Sequence, residues 1–110
     1  MRLVLVLPVL LLFGCDTPED LSPVDLVEPQ HPGKQIYDDY CFSCHTPGLS
    51  GAPKIGDREA WKSRLAQGKQ VLLDSTINGI QPAMPPRGVC FDCSDQELEL
   101  AIDYILLRSQ

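Results

Sequence analysis

The chain has 110 residues, which is the length of a single small domain. It contains 15 acidic and 9 basic residues, for a formal net charge of −6, and this acidic balance argues against binding to nucleic acid. The sequence has no glycine-rich phosphate loop and no recognisable acid–base pair, so it predicts no enzyme.

The N-terminus carries an apolar run from Leu3 to Phe13, with Arg2 as the only charge before it. The run is shorter than the roughly 20 apolar residues that span a bilayer. It fits a secretory signal segment, with a buried N-terminal strand or helix as the alternative. Its end, Leu-Phe-Gly-Cys, resembles a bacterial lipoprotein processing site. We therefore expect a signal peptide at 1–14, a lipid anchor at Cys15, and a location in the bacterial cell envelope facing the periplasm. Asp16 favours the inner over the outer membrane.

Residues 15–32 are polar and contain four prolines, which break helices. Such a composition cannot form a core, so we expect an extended tether. At about 3.1 Å per residue, its reach is on the order of 50 Å. His31 lies in this segment and is expected to be a solvated linker residue. The globular domain is then 33–110.

Four helices are expected in that domain. The first runs from Gly33 to about Tyr40. The second begins at Asp57, a good N-cap, and stops by Gly68, and the third covers about 69–78. The fourth begins at Ser94-x-x-Glu97, a capping-box pattern. Its apolar residues recur at helical spacing, which predicts one buried face: Leu98, Ala101, Ile102, Ile105 and Leu106. No strand pattern interrupts them, so the fold class is all-α.

The strongest motif is Cys41-Phe42-Ser43-Cys44-His45, the C-x-x-C-H pattern of c-type haem attachment. Two thiols at this spacing can add across the two vinyl groups of haem and form thioethers. The histidine that follows is then placed under the iron as the proximal ligand. The pattern therefore predicts one covalent haem c, bound by Cys41 and Cys44 and ligated by His45.

Two other chemistries remain open for these cysteines. A thioredoxin-like redox pair needs a strand before it, whereas a helix is expected here. A zinc site could be formed by Cys41 and Cys44 together with Cys90 and Cys93, because two C-x-x-C pairs can make a tetrahedral thiolate cage. The zinc site leaves His45 without a role. Otherwise Cys90 and Cys93 are spaced for a mutual disulfide in an oxidising compartment.

Met84 is the only methionine that remains once the signal segment is removed. It lies in Ala83-Met84-Pro85-Pro86, a proline-fixed loop rather than a helical apolar face. A methionine opposite a histidine on haem iron raises the reduction potential and closes the coordination shell. We therefore expect Met84 to be the sixth ligand, with a methionine packing on the core as the alternative.

Residues 33–107 resemble a class I monohaem cytochrome c, and the second half is similar to the cytochrome c-five-like subgroup. The resemblance rests on the haem motif and on short motifs after it: Gly51-Ala52-Pro53-Lys54, Gly56-Asp57, Trp61, Asn78-Gly79, Met84-Pro85-Pro86, and Cys90-Phe91-Asp92-Cys93 followed by Ser94-Asp95.

The resemblance implies a fold in which about four helices wrap one haem and the terminal helices cross, here through Gly33, Tyr37 and Tyr104. It implies that the Pro53 carbonyl orients the His45 ring, and that Trp61 and Arg64 reach a haem propionate. The implied function is electron carriage in a respiratory or related membrane chain, as a monomer with redox protein partners. A haem-based gas sensor or a peroxidase-like catalyst, with a labile sixth ligand, is the alternative.

The charges are unevenly distributed along the expected mature chain. Net charge is −6 over residues 15–45, +3 over 46–91 and −4 over 92–110. The middle stretch supplies the loops that surround the haem in the resembled family. We therefore expect a near-neutral to mildly basic contact patch at the haem edge, and weak, fast encounters with partners.

Overall fold

Helices form the framework of residues 31–110, the part of the chain that this computed structural model describes. The expected signal peptide, Cys15 and most of the tether lie outside the described residues. Four helices follow one another: α1 over residues 34–45, α2 over Arg58–Leu65, α3 over Lys69–Asn78 and α4 over Asp95–Arg108. Short 3₁₀ segments lie at Leu49–Gly51 and Pro86–Val89. Residues 31–110 contain no strand, which confirms the all-α prediction.

Helix α1 is longer than expected, because it continues through the whole haem motif to His45. It consists of an α-helical start at Lys34–Ile36, a π-helical turn at Tyr37–Cys41 and an α-helical end at Phe42–His45. The sequence has no helix breaker before Pro47, so nothing stops the helix at Tyr40. Gly48, in the left-handed conformation (φ 79°), then turns the chain away.

Helices α1 and α4 cross at Gly33, as expected. A Cβ atom added to Gly33 would lie only 1.9 Å from the backbone oxygen of Leu100, so no other residue fits without a shift. One helical turn further on, the rings of Tyr37 and Tyr104 lie 5.3 Å apart between centroids, and both side chains are buried. The close approach of the two backbones thus positions α1, and the haem motif with it, against α4.

The core is built mainly from one face of α4. All five residues of its predicted apolar face are buried, and Trp61 from α2 and Leu73 from α3 join the core from the neighbouring helices. Helix α3 packs against both α4 and the Pro86–Val89 segment. The segment that follows Met84 is therefore supported by α3.

Both predicted N-caps are present. The Asp57 side chain accepts a hydrogen bond from the Ala60 backbone N–H at 3.0 Å. At α4, the Glu97 carboxylate accepts from the Ser94 backbone N–H at 2.7 Å, and the Ser94 hydroxyl accepts from the Glu97 backbone N–H at 3.2 Å. This reciprocal pair is a capping box, and it sets the first residue of α4 directly after the Cys90–Cys93 stretch.

The expectation for His31 is wrong. Its ring packs 5.5 Å from the ring of Tyr104, and its Nδ1 accepts a hydrogen bond from the Gly33 backbone N–H at 3.1 Å. Its backbone carbonyl accepts from the Lys34 N–H at 3.0 Å. His31 therefore packs against the start of α1 and the ring of Tyr104 and is not simply solvated. Among residues 31–110, no helix has the length and apolar character that crossing a membrane requires.

Candidate functional site

Cys41 and Cys44 lie on one face of the last turns of α1. Residues three apart on a helix are neighbours on its surface, so both thiols point to the same side. Both are half-buried and neither is in a disulfide, whereas the sulfur atoms of Cys90 and Cys93 lie 1.90 Å apart, at disulfide distance. The structure thus separates the four cysteines into one pair with free thiols and one pair at disulfide distance.

Burial raises the pKa of the Cys41 thiol to about 11, and the neighbouring Cys44 adds to this rise. A thiol with such a pKa stays protonated at neutral pH. Redox-active C-x-x-C pairs instead depend on a cysteine whose pKa is lowered. The environment of Cys41 therefore argues against the thioredoxin-like alternative.

His45 is buried, and its ring is held in one orientation. Its Nδ1 donates to the backbone oxygen of Pro53 at 2.8 Å, the contact that the family resemblance implied. Metal-ligating histidines usually donate their second ring N–H to such an acceptor, which fixes both the tautomer and the ring plane. With Nδ1 engaged, Nε2 is the nitrogen that can bind iron.

Residues 53–55 hold His45 from two directions. The Ile55 N–H donates to the His45 carbonyl at 2.8 Å, while the Pro53 carbonyl accepts from the His45 ring. The Trp61 indole N–H donates to the Lys54 carbonyl at 2.7 Å, and the Trp61 ring lies 6.0 Å from that of His45. Trp61 therefore fixes the segment that orients His45.

The resemblance implied a propionate contact for Trp61 and Arg64. The one N–H donor of Trp61 donates to the Lys54 carbonyl, and Trp61 is only 6% exposed. One guanidinium nitrogen of Arg64 donates to the Ala60 carbonyl on its own helix, and its remaining N–H groups can serve another acceptor. The propionate contact stays a prediction for these two residues.

The backbone of Met84 is fixed by a small bridge with Ile80. The Met84 N–H donates to the Ile80 carbonyl at 2.9 Å, and the Ile80 N–H donates to the Met84 carbonyl at 2.8 Å. Gly79 makes this turn possible, since a Cβ atom there would lie 2.7 Å from the Met84 oxygen. Met84 itself is half-buried. The loop therefore has a defined shape on its N-terminal side.

On the C-terminal side of Met84, the chain makes a strained turn that leads into the cysteine pair. Arg87, Gly88 and Val89 all have positive φ, at 58°, 55° and 63°. The Arg87 side chain donates to the Cys93 carbonyl at 2.6 Å and pairs with Asp95 at 2.9 Å. Sequence reasoning missed this role of Arg87. Only an arginine close to a loop of prolines and glycines hinted at it.

Exposed apolar side chains are concentrated in the two segments that contain the candidate ligands. Of the eight large hydrophobic residues that are exposed in residues 31–110, six belong to residues 40–49 and 80–91: Tyr40, Phe42, Leu49, Ile80, Val89 and Phe91. Exposed large apolar side chains concentrated in two segments are typical of a binding site in a small protein. Together with two free thiols and an oriented histidine, it fits a large apolar group such as haem.

The donor set does not fit the zinc alternative. Cys90 and Cys93 are at bonding distance from each other, so their sulfurs are not available as thiolates. No group of three or more histidine, cysteine, aspartate or glutamate side chains in residues 31–110 is arranged to hold a metal ion. A structural zinc site normally needs four such ligands.

Comparison with known proteins decides the family. Residues 28–105 match the family model described as cytochrome C oxidase, cbb3-type, subunit III. Cytochrome c5 of Azotobacter vinelandii is 47% identical over 72 residues, 64% of this chain and 86% of that protein. Cytochrome c-555 of Chlorobaculum tepidum is 37% identical over 81 residues, 71% of this chain and 75% of that protein. The chain belongs to the cytochrome c family that these matches share. It is a monohaem class I cytochrome c.

Solved structures agree with this assignment. A cytochrome c crystallised in an electron-transfer complex with nitrite reductase matches with a TM-score of 0.68 and 35% identity, covering 72% of this chain and 95% of that one. A mono-haem ferrocytochrome c from Shewanella putrefaciens matches with a TM-score of 0.63 and 36% identity, covering 71% of this chain and 94% of that one. The prediction of a class I cytochrome c fold is therefore confirmed.

The cofactor and the general function follow from this membership. The chain carries a covalent c-type haem and is an electron carrier, as its relatives are, and it is not an enzyme.

Proposed function

We propose that this cytochrome carries single electrons through a haem that is attached to Cys41 and Cys44 and ligated by His45 and Met84. The observation that carries this assignment is the 2.8 Å hydrogen bond from His45 Nδ1 to the Pro53 carbonyl, directly after two free thiols on one helix face. A histidine ligand needs this arrangement, in which Nδ1 is hydrogen-bonded to the protein and Nε2 is left to bind the iron.

Each residue has a distinct task in this assignment. Bound haem supplies one-electron chemistry between ferric and ferrous iron. Cys41 and Cys44 would anchor it covalently, and His45 would ligate the iron with its ring held by the Pro53 carbonyl. Met84 would be the second protein ligand, from a loop whose backbone is bridged to Ile80. Both residues would thus ligate the iron from segments that the protein itself holds in place.

Substitution of the two axial ligands tests the assignment. A ferric class I cytochrome with a methionine–iron bond shows a weak far-red absorption band. We expect Met84→Ala to lose this band and to have a lower reduction potential, while its haem stays covalently attached. His45→Ala should disrupt the haem environment, whereas His31→Ala, the matched control with the chain's other histidine, should keep the native spectrum. An unchanged spectrum and potential in Met84→Ala would show that another group is the sixth ligand.

A carbon monoxide titration separates a carrier from a gas sensor or a peroxidase-like catalyst. The bridge between Ile80 and Met84 favours a closed sixth position. Reduced wild-type protein should therefore bind carbon monoxide poorly, and Met84→Ala should bind it readily. Equal, tight binding by both proteins would favour the sensor or catalyst.

The Cys90–Cys93 pair is proposed to be a disulfide that stabilises the loop after Met84. The 1.90 Å distance between the two sulfur atoms supports this pairing. A loop this short gains roughly 2 kcal/mol by the chain-entropy estimate. Thiol labelling of the denatured, unreduced protein should find neither cysteine free. Two reactive thiols in addition to any at 41 and 44 would contradict the proposal.

Membrane attachment is proposed from the sequence of the N-terminal segment. We propose that residues 1–14 are a signal peptide, that Cys15 is lipidated, and that residues between Cys15 and the domain at 33–110 are a tether facing the periplasm, on the inner membrane. Two or more acyl chains give stable anchoring. Cys15→Ser should leave the membrane fraction or remain unprocessed, whereas Thr17→Ser should stay in that fraction. A wild-type protein found entirely in the soluble fraction would exclude the anchor.

Redox proteins are the proposed partners, since one similar solved structure is a cytochrome c in complex with nitrite reductase. We place the chain in the cytochrome c5-like subgroup on the basis of its 47% and 52% identity to two cytochromes c5. It would act as a monomer between membrane donor and acceptor complexes.

The charges in the middle of the chain support a near-neutral contact face. Two of its six cations are paired: Lys69 with Glu99 and Asp103, and Arg87 with Asp95. Electron transfer to a membrane partner, followed by stopped flow, should then slow only modestly as salt is added. A steep salt dependence that disappears when the acidic residues of α4 are neutralised would place the docking face on α4 instead.

A further inference from the structure

The side chain of Arg87 links the segment after Met84 to the start of α4. One of its guanidinium nitrogens, Nη2, donates to the Cys93 carbonyl at 2.6 Å and lies 2.9 Å from a carboxylate oxygen of Asp95. The Arg87 side chain is 21% exposed, so the contacts are partly shielded from water. Asp95 is the first residue of α4, which places this contact on a rigid element.

The backbone at Arg87 is in a conformation that the loop would not keep without support. Its φ is 58°, and Gly88 and Val89 continue the left-handed run at 55° and 63°. This region is unfavourable for residues with a Cβ, most of all for a β-branched one such as Val89. Strained backbone persists where surrounding contacts over-determine it, and such sites are concentrated around ligands. The Arg87 side chain provides contacts of this kind.

Met84 therefore lies between two fixed points. On its N-terminal side the bridge with Ile80 holds the backbone in both directions. On its C-terminal side, three residues further along, Arg87 fixes the chain to α4. The Cys90–Cys93 pair alone cannot provide this second point, because it closes a ring entirely beyond the left-handed run.

We propose that Arg87 is a positioning residue for the sixth haem ligand: its hydrogen bond to Cys93 and its ion pair with Asp95 anchor the loop and keep the Met84 sulfur in place. The inference rests on the proposed function, in which Met84 is that ligand. Loss of the Arg87 contacts should raise the rate at which Met84 leaves its position and an external ligand enters. This rate can be followed by the visible absorption of the haem.

The relative weight of the two contacts follows from their exposure. Asp95 is 64% exposed, so its ion pair with Arg87 is screened by solvent and contributes little. The hydrogen bond to the Cys93 carbonyl is donated by a charged group, and such bonds are the stronger class. Removal of the Arg87 guanidinium should therefore have a larger effect than neutralisation of Asp95.

Entry of imidazole into the ferric, haem-loaded protein is the test, followed by the change in its visible absorption. At saturating imidazole the rate reports departure of the original ligand. We expect Arg87→Gln to raise this rate about tenfold, in line with the loss of one hydrogen bond from a charged donor. Arg87→Lys, which keeps a donor, should give a smaller increase. Asp95→Asn should change the rate by about twofold, since exposed ion pairs contribute little.

Two control variants separate positioning from charge and from general destabilisation. Arg58→Gln removes the same charge from an exposed site at the start of α2 and should leave the rate at the wild-type value. Gly68→Ala, in the turn between α2 and α3, forces alanine into left-handed backbone (φ 95°) and should lower stability without accelerating imidazole entry. If Arg87→Gln cannot be obtained with haem attached, the imidazole entry rates of Arg87→Lys and Asp95→Asn still show which contact of Arg87 has the larger effect.

The outcomes distinguish this inference from the function on which it rests. If Met84→Ala loses the far-red band but Arg87→Gln has the wild-type rate, Arg87 does not position the ligand and the inference is wrong. An increase of the same size in Arg58→Gln or Gly68→Ala would also overturn it. If Met84→Ala itself keeps the native spectrum and rate, the proposed ligand is wrong instead.

Discussion

Replacement of Gly33 by alanine is the sharpest test of the fold. Gly33 has an ordinary helical backbone (φ −79°), so alanine meets no conformational penalty there. The added Cβ, however, would lie 1.9 Å from the Leu100 oxygen, 2.3 Å from its carbonyl carbon and 2.7 Å from the Ala101 nitrogen. All three are backbone atoms of α4, so no side-chain rotation relieves the clash.

The size of the effect follows from these distances. Real Cβ contacts essentially never fall below 3.0 Å, so α1 and α4 must separate locally by about 1.1 Å. Overpacking typically costs 1–3 kcal/mol, and a clash with rigid backbone belongs at the top of that range. We expect Gly33→Ala to lose about 3 kcal/mol of unfolding free energy, a large part of the total for a small domain.

Guanidinium unfolding of the haem-loaded protein, followed by the fluorescence of Trp61, measures this loss. Gly51→Ala is the matched control, since it adds the same methyl group where no atom lies within 4 Å. Gly51 has a φ of 80°, so Gly51→Ala should lose unfolding free energy only because alanine is unfavourable in left-handed backbone, about 1–2 kcal/mol. If Gly33→Ala is no less stable than Gly51→Ala, the close crossing of α1 and α4 is not what positions the haem motif.

Two further predictions concern the caps and the support of His45. Ser94→Ala should cost about 1 kcal/mol of stability, the usual value of an N-cap, with Ser75→Ala on α3 as the control. Hydrogen bonds from the Ser94 backbone N–H and hydroxyl lower the pKa of Glu97, so its contribution to stability is present above its unfolded-state pKa and is lost as pH falls through the lowered value. The acid dependence of the unfolding midpoint should therefore weaken in Glu97→Gln, and an unchanged pH profile would contradict the capping box. Trp61→Phe keeps the ring but removes its bond to the Lys54 carbonyl, and it should lose about 1 kcal/mol with little change in reduction potential. A clear shift in potential without a loss of stability would instead favour the propionate contact.

Local patterns predicted most of the framework correctly. The bounds of α3, the N-cap at Asp57 and the capping box at Ser94 are as expected, because caps and helix stops depend on residues within one turn of each other. The apolar face of α4 was equally clear, since side chains at helical spacing point the same way whatever lies opposite.

Local patterns failed where a distant partner decides the outcome. His31 reads as a linker residue between Gln30 and Pro32, and only the ring of Tyr104 makes it part of the domain. The indole N–H of Trp61 donates to the Lys54 carbonyl, a partner that no local pattern indicated. The length of α1 was underestimated because a π-turn at Tyr37–Cys41 has no sequence signal of its own.

The sequence alone determined the chemistry of this cytochrome. The C-x-x-C-H motif contains the thiols and the histidine within five consecutive residues, and residues 15–110 contain a single methionine, so the candidate ligands could be named without a structure. The tertiary structure decided what holds these candidate ligands in place: the Pro53 carbonyl for His45, the Ile80 bridge for Met84 and the guanidinium of Arg87 for the loop after it. The physical reason is that a ligand's identity is a property of one residue, whereas its orientation depends on hydrogen bonds to backbone atoms whose positions exist only once the chain has folded.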